Sequence, residues 1–170
     1  MTVTENHEET MAKKERSLKN LQKALSMELT AVHQYLLHAH VLDDWGLDKL
    51  GAKMREEMQE ELGHASEFIE RILYLEGEPV VSEEKPPKRA ETLEALFSSD
   101  LKEEKGAIDF YTKAFQEAME DGDIGTKAIF ERIILDEEGH AEWLDLQLDL
   151  LKRMGEPAFI SKYMSSSADH

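Results

Sequence analysis

Apolar residues recur along four long stretches of this chain at spacings of three and four, the period of an α-helix that buries one face. The first stretch runs from about Lys14 to Asp43, with Leu18, Leu21, Leu25, Glu28, Val32, Tyr35 and Ala39 on its inward stripe. Asp44, Trp45 and Gly46 close it. The second runs from about Asp48 to Glu76, with Leu50, Met54, Met58, Glu61, His64, Ala65, Phe68, Ile72 and Leu75 inward, until Gly77 and Pro79 stop it. The third covers about Glu91 to Glu120, with Leu93, Phe97, Leu101, Glu104, Ile108, Tyr111, Phe115 and Ala118 inward. Asp121, Gly122 and Asp123 form a turn, and Asp123 is placed to cap the next helix. The fourth reaches about Met154, with Ile129, Ile133, Glu137, His140, Leu144, Leu148 and Leu151 inward. Gly155 ends it, and Pro157 fits the first turn of a short fifth helix reaching about Met164. Residues 1–13 and 165–170 are polar, lack this period and are expected to be flexible tails around one domain, 14–164.

The segment Gly77–Ala90 contains three prolines and no helical period. A helix of about 29 residues is about 44 Å long, and about fourteen extended residues span about 46 Å. The segment is therefore long enough to travel the length of a bundle. The pattern predicts an all-α four-helix bundle with short turns at 44–46 and 121–123 and one long crossover between the second and third helices.

The stripes are not wholly apolar. Glu61 and His64 stand three apart in the second helix, and Glu137 and His140 stand three apart in the fourth. On a helix that spacing puts a carboxylate and an imidazole on one face. Each pair has a lone glutamate 33 residues upstream, Glu28 or Glu104, and a shift of 76 residues maps Glu28, Glu61 and His64 onto Glu104, Glu137 and His140. The flanking residues repeat as well: Glu28, Ala31, Val32 and Tyr35 match Glu104, Ala107, Ile108 and Tyr111. This is a duplicated helical hairpin. Counted from the turns, all four glutamates fall at one height in an antiparallel bundle.

An unpaired carboxylate in an apolar core costs several kcal/mol, and four together also repel. Two divalent cations would balance the four charges, and two imidazoles would complete the ligand set. The repeat assigns Glu28 and His64 to one metal, Glu104 and His140 to the other, and Glu61 and Glu137 to bridges. Glu103, adjacent to Glu104, is off both stripe and repeat and is expected in solvent. Tyr35 and Tyr111 read either as core tyrosines or as hydrogen-bond or redox partners of the site, and Trp143 is open between the same roles. His33, His38 and His40 are expected at the surface, His7 and His170 in the tails, and Met54 and Met58 in packing.

Composition narrows the chemistry. The chain has no cysteine, which removes thiolate nucleophiles, Cys-based zinc sites and rubredoxin-type iron, and leaves oxygen and imidazole ligands suited to iron or manganese. The net charge of −17 argues against nucleic acid and suits cation handling. No run of apolar residues is long enough to span a membrane, and no apolar signal core opens the chain, so the expected location is the cytoplasm.

These residues carry a resemblance to the bacterioferritins over most of the chain, from about Leu18 to about Tyr163. The stretches that carry it are ELTAVHQYLLHA (28–39), DWGL (44–47), HA through IERILYLEG (64–77), and LDEEGH through Trp143 (135–143). The resemblance implies a ferritin-like bundle with a short fifth C-terminal helix, assembled as a 24-subunit shell of dimers. It also implies a di-iron centre at Glu28, Glu61, His64, Glu104, Glu137 and His140, acting as a ferroxidase that oxidises Fe(II) with O2 or H2O2 and stores ferric mineral. In that family a Met follows the ligand Glu of the second helix and binds haem between two subunits. Here Leu62 stands there, and its side chain has no donor atom. The expectation is a member without haem, or one that acquires it by co-assembly with a haem-binding paralogue. Where the family often has Tyr, this chain has Phe68. A di-iron or di-manganese peroxide scavenger and a non-catalytic metal-sequestering shell subunit are the alternatives.

Overall fold

The structure, a computed structural model, describes residues 3–164. It is built from α1 (Val3–Asp44), α2 (Asp48–Tyr74), α3 (Leu93–Asp121), α4 (Ile124–Met154) and α5 (Glu156–Tyr163), with no strand among the described residues. α1 pairs with α2, and α3 with α4, so each half of the sequence repeat is one helical hairpin. α1 begins well before the predicted start at Lys14. The segment lacks glycine and proline, so nothing in it stops a helix, and it lacks the apolar stripe by which the sequence reveals one. The expected C-terminal tail, 165–170, with His170, lies outside the described residues.

The ends of the helices follow local chemistry. The Thr92 side chain caps α3 by accepting from the Ala95 N–H, and Asp123 caps α4 by accepting from the Thr126 N–H. Gly122 terminates α3 in the left-handed region at φ 72°, a conformation that costs a residue with a Cβ. Pro157 lies in the first turn of α5, where its missing N–H costs nothing.

The crossover lies along α1 and is tied to it by hydrogen bonds and ion pairs. The Gln22 amide exchanges two hydrogen bonds with the Val80 backbone, Thr30 Oγ1 accepts from the Glu84 N–H, and the Gln34 amide exchanges two with the Lys88 backbone. A proline-rich segment with no regular partner thereby satisfies part of its backbone on helix side chains. Where α1 meets α2, a Cβ on Gly51 would stand 2.9 Å from the Ala39 carbonyl oxygen, so only glycine permits that approach.

The apolar core is in two parts. One holds Leu42, Leu50, Met54, Phe97, Leu144 and Phe159; the other holds Leu21, Leu25, Phe68, Ile72, Phe130 and Ile133. Between them lies a layer of buried carboxylates and imidazoles.

Candidate metal centre

Glu28, Glu61, His64, Glu104, Glu137 and His140 are all buried and all converge on this layer. Each comes from the inward stripe of its helix, near mid-length, which is why one turn of each helix suffices to assemble the cluster. The two Glu-x-x-His pairs face each other across α2 and α4, with ring centroids of His64 and His140 6.5 Å apart. Glu61 and Glu137 lie between the rings. Glu61 places Oε2 3.3 Å from His64 Nδ1 and Oε1 2.9 Å from His140 Nδ1. Glu137 places Oε1 3.3 Å from His64 Nδ1 and Oε2 3.3 Å from His140 Nδ1. Each of these carboxylates thus offers one oxygen to each side. Glu28 reaches only His64, at 3.6 Å, and Glu104 only His140, at 3.9 Å.

Two groups of four residues that could each hold a metal ion result, Glu28–Glu61–His64–Glu137 and Glu61–Glu104–Glu137–His140, and within each the donor atoms lie within 4.8 Å of one another. Glu61 Oε1, Glu137 Oε2 and His140 Nδ1 are buried with no hydrogen-bond partner among the described residues. Orphaned donors of this kind, four carboxylates against two imidazoles and no sulfur, fit a pair of divalent cations.

The electrostatics agree. Burial and the nearby Glu61 push the Glu28 carboxyl up to about 8. Burial, then Glu61 and Glu137, hold Glu104 well above the carboxylate range. Burial by itself would lower His64 and His140, but the carboxylates around them win and both imidazoles hold their protons more tightly than usual.

A second set of residues holds the first. The Tyr35 hydroxyl donates to Glu104, and the Tyr111 hydroxyl donates to Glu28 at 2.5 Å. The two tyrosines left open by the sequence are therefore both buried core residues and partners of the site. His64 Nε2 lies 3.2 Å from Asp136, and His140 Nε2 lies 2.8 Å from Glu57 and 3.2 Å from Glu60. Such outer carboxylates orient imidazoles that turn Nδ1 toward a metal. A cavity of about 290 Å³ under the crossover reaches the cluster and is bounded by Glu28, Tyr35, Asp100, Glu104 and, at its outer side, Glu84 and Lys85.

Glu103 is exposed and paired with Lys85, away from the cluster. Trp143 packs edge-on against Phe97, under the Lys53 ammonium. His33 and His40 are at the surface. His38 is not: it is buried, 1% exposed, and bonds to the equally buried Asp100. Its neighbours in sequence are surface histidines, but it stands one turn past Tyr35 on the inward stripe, and the helical period decides its side. The sequence reading also missed Asp100, Glu57, Glu60 and Asp136. A signal was present for two of them, since Asp100 and Glu57 stand four residues before Glu104 and Glu61 on the same stripes.

Comparison with known proteins gives the chain relatives in both sequence and structure. The sequence profile of a family described as "Ferritin-like domain" matches residues 18–154. Bacterioferritin of Rhodobacter capsulatus is 43% identical over 139 residues, covering 82% of this chain and 86% of that protein. Bacterioferritin of Brucella melitensis biotype 1 is 38% identical over 142 residues, covering 84% and 88%. Among solved structures, R. capsulatus bacterioferritin, with a metal-free dinuclear site and haem iron, superposes with a TM-score of 0.87 at 39% identity over 91% of this chain and 96% of that one. Mycobacterium tuberculosis BfrA superposes with a TM-score of 0.85 at 33% identity, covering 88% and 94%. Among the described residues no helix is long and apolar enough to cross a membrane.

Proposed function

The chain belongs to the bacterioferritin family, and from that premise we propose that it stores iron, oxidising Fe(II) to Fe(III) at the buried Glu/His layer and holding the ferric product in a multi-subunit shell. The observation that carries this reading is the division of oxygens at Glu61 and Glu137, each offering one oxygen toward His64 and the other toward His140. That arrangement suits two cations bridged by two carboxylates. Glu28 and His64 would complete one position, and Glu104 and His140 the other. When bound, a pair of ferrous ions supplies two electrons to an oxidant such as O2 or H2O2.

The chain's own residues do the rest. Tyr35 and Tyr111 hold the terminal carboxylates by their outer oxygens, so these groups keep their aim when protons leave. Asp136 bonds the His64 ring from outside, and Glu57 and Glu60 stand as charged neighbours beside His140 Nε2. The cavity under the crossover gives Fe(II) access, and its carboxylates favour cations. Assembly is supported by large apolar side chains left exposed on a single subunit, among them Leu36, Leu62, Leu73, Tyr74, Leu135 and Leu146.

Haem is not part of this reading. Leu62 stands on the exposed face of α2 and offers no ligand atom, and Met58 packs against the core. The protein purified with no added subunit should show no haem absorbance, and Leu62→Met is the substitution expected to introduce it. The test of the function is aerobic addition of Fe(II) to the purified protein, following ferric absorbance, iron per subunit and particle size. Oxidation with retention of many irons per subunit in a large particle is expected. A monomer or dimer in gel filtration, or oxidation no faster than in buffer, would overturn it.

A further inference from the structure

The two halves of the centre are related by the 76-residue shift, and the contacts between α1 and α3 show where that symmetry fails. In one half Tyr35 on α1 bonds Glu104 on α3; in the other Tyr111 on α3 bonds Glu28 on α1. These rungs match. Beyond the first lies a second rung, His38 to Asp100, with His38 three residues past Tyr35 and Asp100 four before Glu104. The shift maps His38 onto Ala114 and Asp100 onto Ala24, both buried and apolar, so the Glu28 half has no counterpart.

The charge on the second rung follows from its hydrogen bonds. The Lys88 N–H donates to Gln34 Oε1 at 2.9 Å, which fixes the orientation of that amide. Gln34 Nε2 then donates to the Lys88 carbonyl and, at 2.8 Å, to His38 Nε2. Nε2 is therefore an acceptor, the ring proton is on Nδ1, and Nδ1–H donates to Asp100 Oδ2 at 2.9 Å. The rung is an imidazole donating to the Asp100 carboxyl group, and that group, when ionised, places a negative charge one helical turn from Glu104. Burial raises the Asp100 carboxyl and the His38 hydrogen bond opposes that rise. Glu57 and Glu103 are also unmatched, since the shift maps them onto Ile133 and Met27, but Lys53 pairs with Glu57 and Lys85 with Glu103, offsetting their charges.

We propose that the two cation positions are unequal, and that the His38–Asp100 pair makes the Glu104/His140 position the first to fill with a divalent cation. The inference rests on the two-metal reading above. A carboxylate held on the Glu104 side of the pair, closer to one position than to the other, raises cation affinity there by on the order of tenfold. The hydrogen bond to His38 keeps that charge in place, and the tie through Gln34 to Lys88 anchors it to the crossover.

The probe is Co(II) alone, which needs no oxidant. The assembled protein is crystallised with one Co(II) per subunit, and occupancy at the two positions is read from anomalous scattering at the cobalt edge. A tenfold affinity difference between independent positions predicts about threefold higher occupancy at Glu104/His140. Asp100→Asn keeps an oxygen to accept from His38 and removes the charge. Its two occupancies should approach equality while its capacity at saturation stays at two. Equal or reversed occupancy in the wild type, or an unchanged excess in Asp100→Asn, would overturn the inference. Should that variant fail to assemble, the wild-type ratio alone decides. No cobalt at either position at saturation would instead defeat the two-metal reading itself.

Discussion

Tyr35 on α1 hydrogen-bonds to Glu104 on α3, and Tyr111 on α3 returns the contact to Glu28 on α1. Each tyrosine therefore supports the buried glutamate of the opposite hairpin, not the one seven residues away on its own helix. A hydrogen bond to a buried carboxylate contributes about 1.5–3 kcal/mol. Tyr35→Phe and Tyr111→Phe should each destabilise the metal-free protein by about 1–2 kcal/mol, with the fold and a capacity of two cations retained. Urea unfolding of chelator-treated protein measures the first, and Co(II) titration the second.

The shared carboxylates and the terminal ones should behave differently on truncation. Glu61 and Glu137 each belong to both four-residue groups, whereas Glu28 belongs to one. Glu61→Ala or Glu137→Ala is expected to abolish paired binding. Glu28→Ala leaves Glu61, Glu104, Glu137 and His140 intact and is expected to keep one cation per subunit. Visible-absorption titration with Co(II) distinguishes the outcomes, and unchanged binding of two equivalents after loss of Glu61 would rule out its role as a bridge.

The metal-free fold should lose stability as pH rises. Glu28 titrates near 8 in the folded chain against an ordinary value of 4.5, and Glu104 is displaced in the same direction. A carboxyl with a raised folded pKa stabilises the fold below its unfolded value, and that contribution is lost as pH climbs through the folded one. His64 and His140 are also raised, from 6.5, so their contribution is lost in the same sense. The melting temperature of chelator-treated protein should fall by on the order of 5 °C between about pH 5 and 8.5. Two equivalents of Co(II) should flatten that slope. A melting temperature that rises with pH would contradict the assignment.

Gly51 tests the packing that sets helix positions around the site. Alanine is worth about 1 kcal/mol more than glycine within a helix. Here, though, its Cβ would stand 2.9 Å from the Ala39 carbonyl oxygen and against the Asp43 carboxylate. Forcing α1 and α2 apart costs about 1–3 kcal/mol, so Gly51→Ala should lower thermal stability, read by calorimetry of the assembled protein.

Much of this molecule was legible along the chain. A helical period is a one-dimensional quantity, and so is a constant offset between two halves. Together they yielded four helices, the long crossover and six convergent residues, and they separated Glu104 from Glu103. Helix ends were less legible: the first turns of α1 carry no apolar stripe for the sequence to show. What the tertiary structure alone decided is who partners whom. The rotation of α1 against α3 aims Tyr35 at Glu104, 69 residues away, and sets His38 against Asp100. The crossover then fixes the His38 tautomer through Gln34 and Lys88. Local sequence specifies which face of a helix is buried; which group a buried side chain meets depends on the register and rotation of the neighbouring helix, and those are set by packing over the whole bundle.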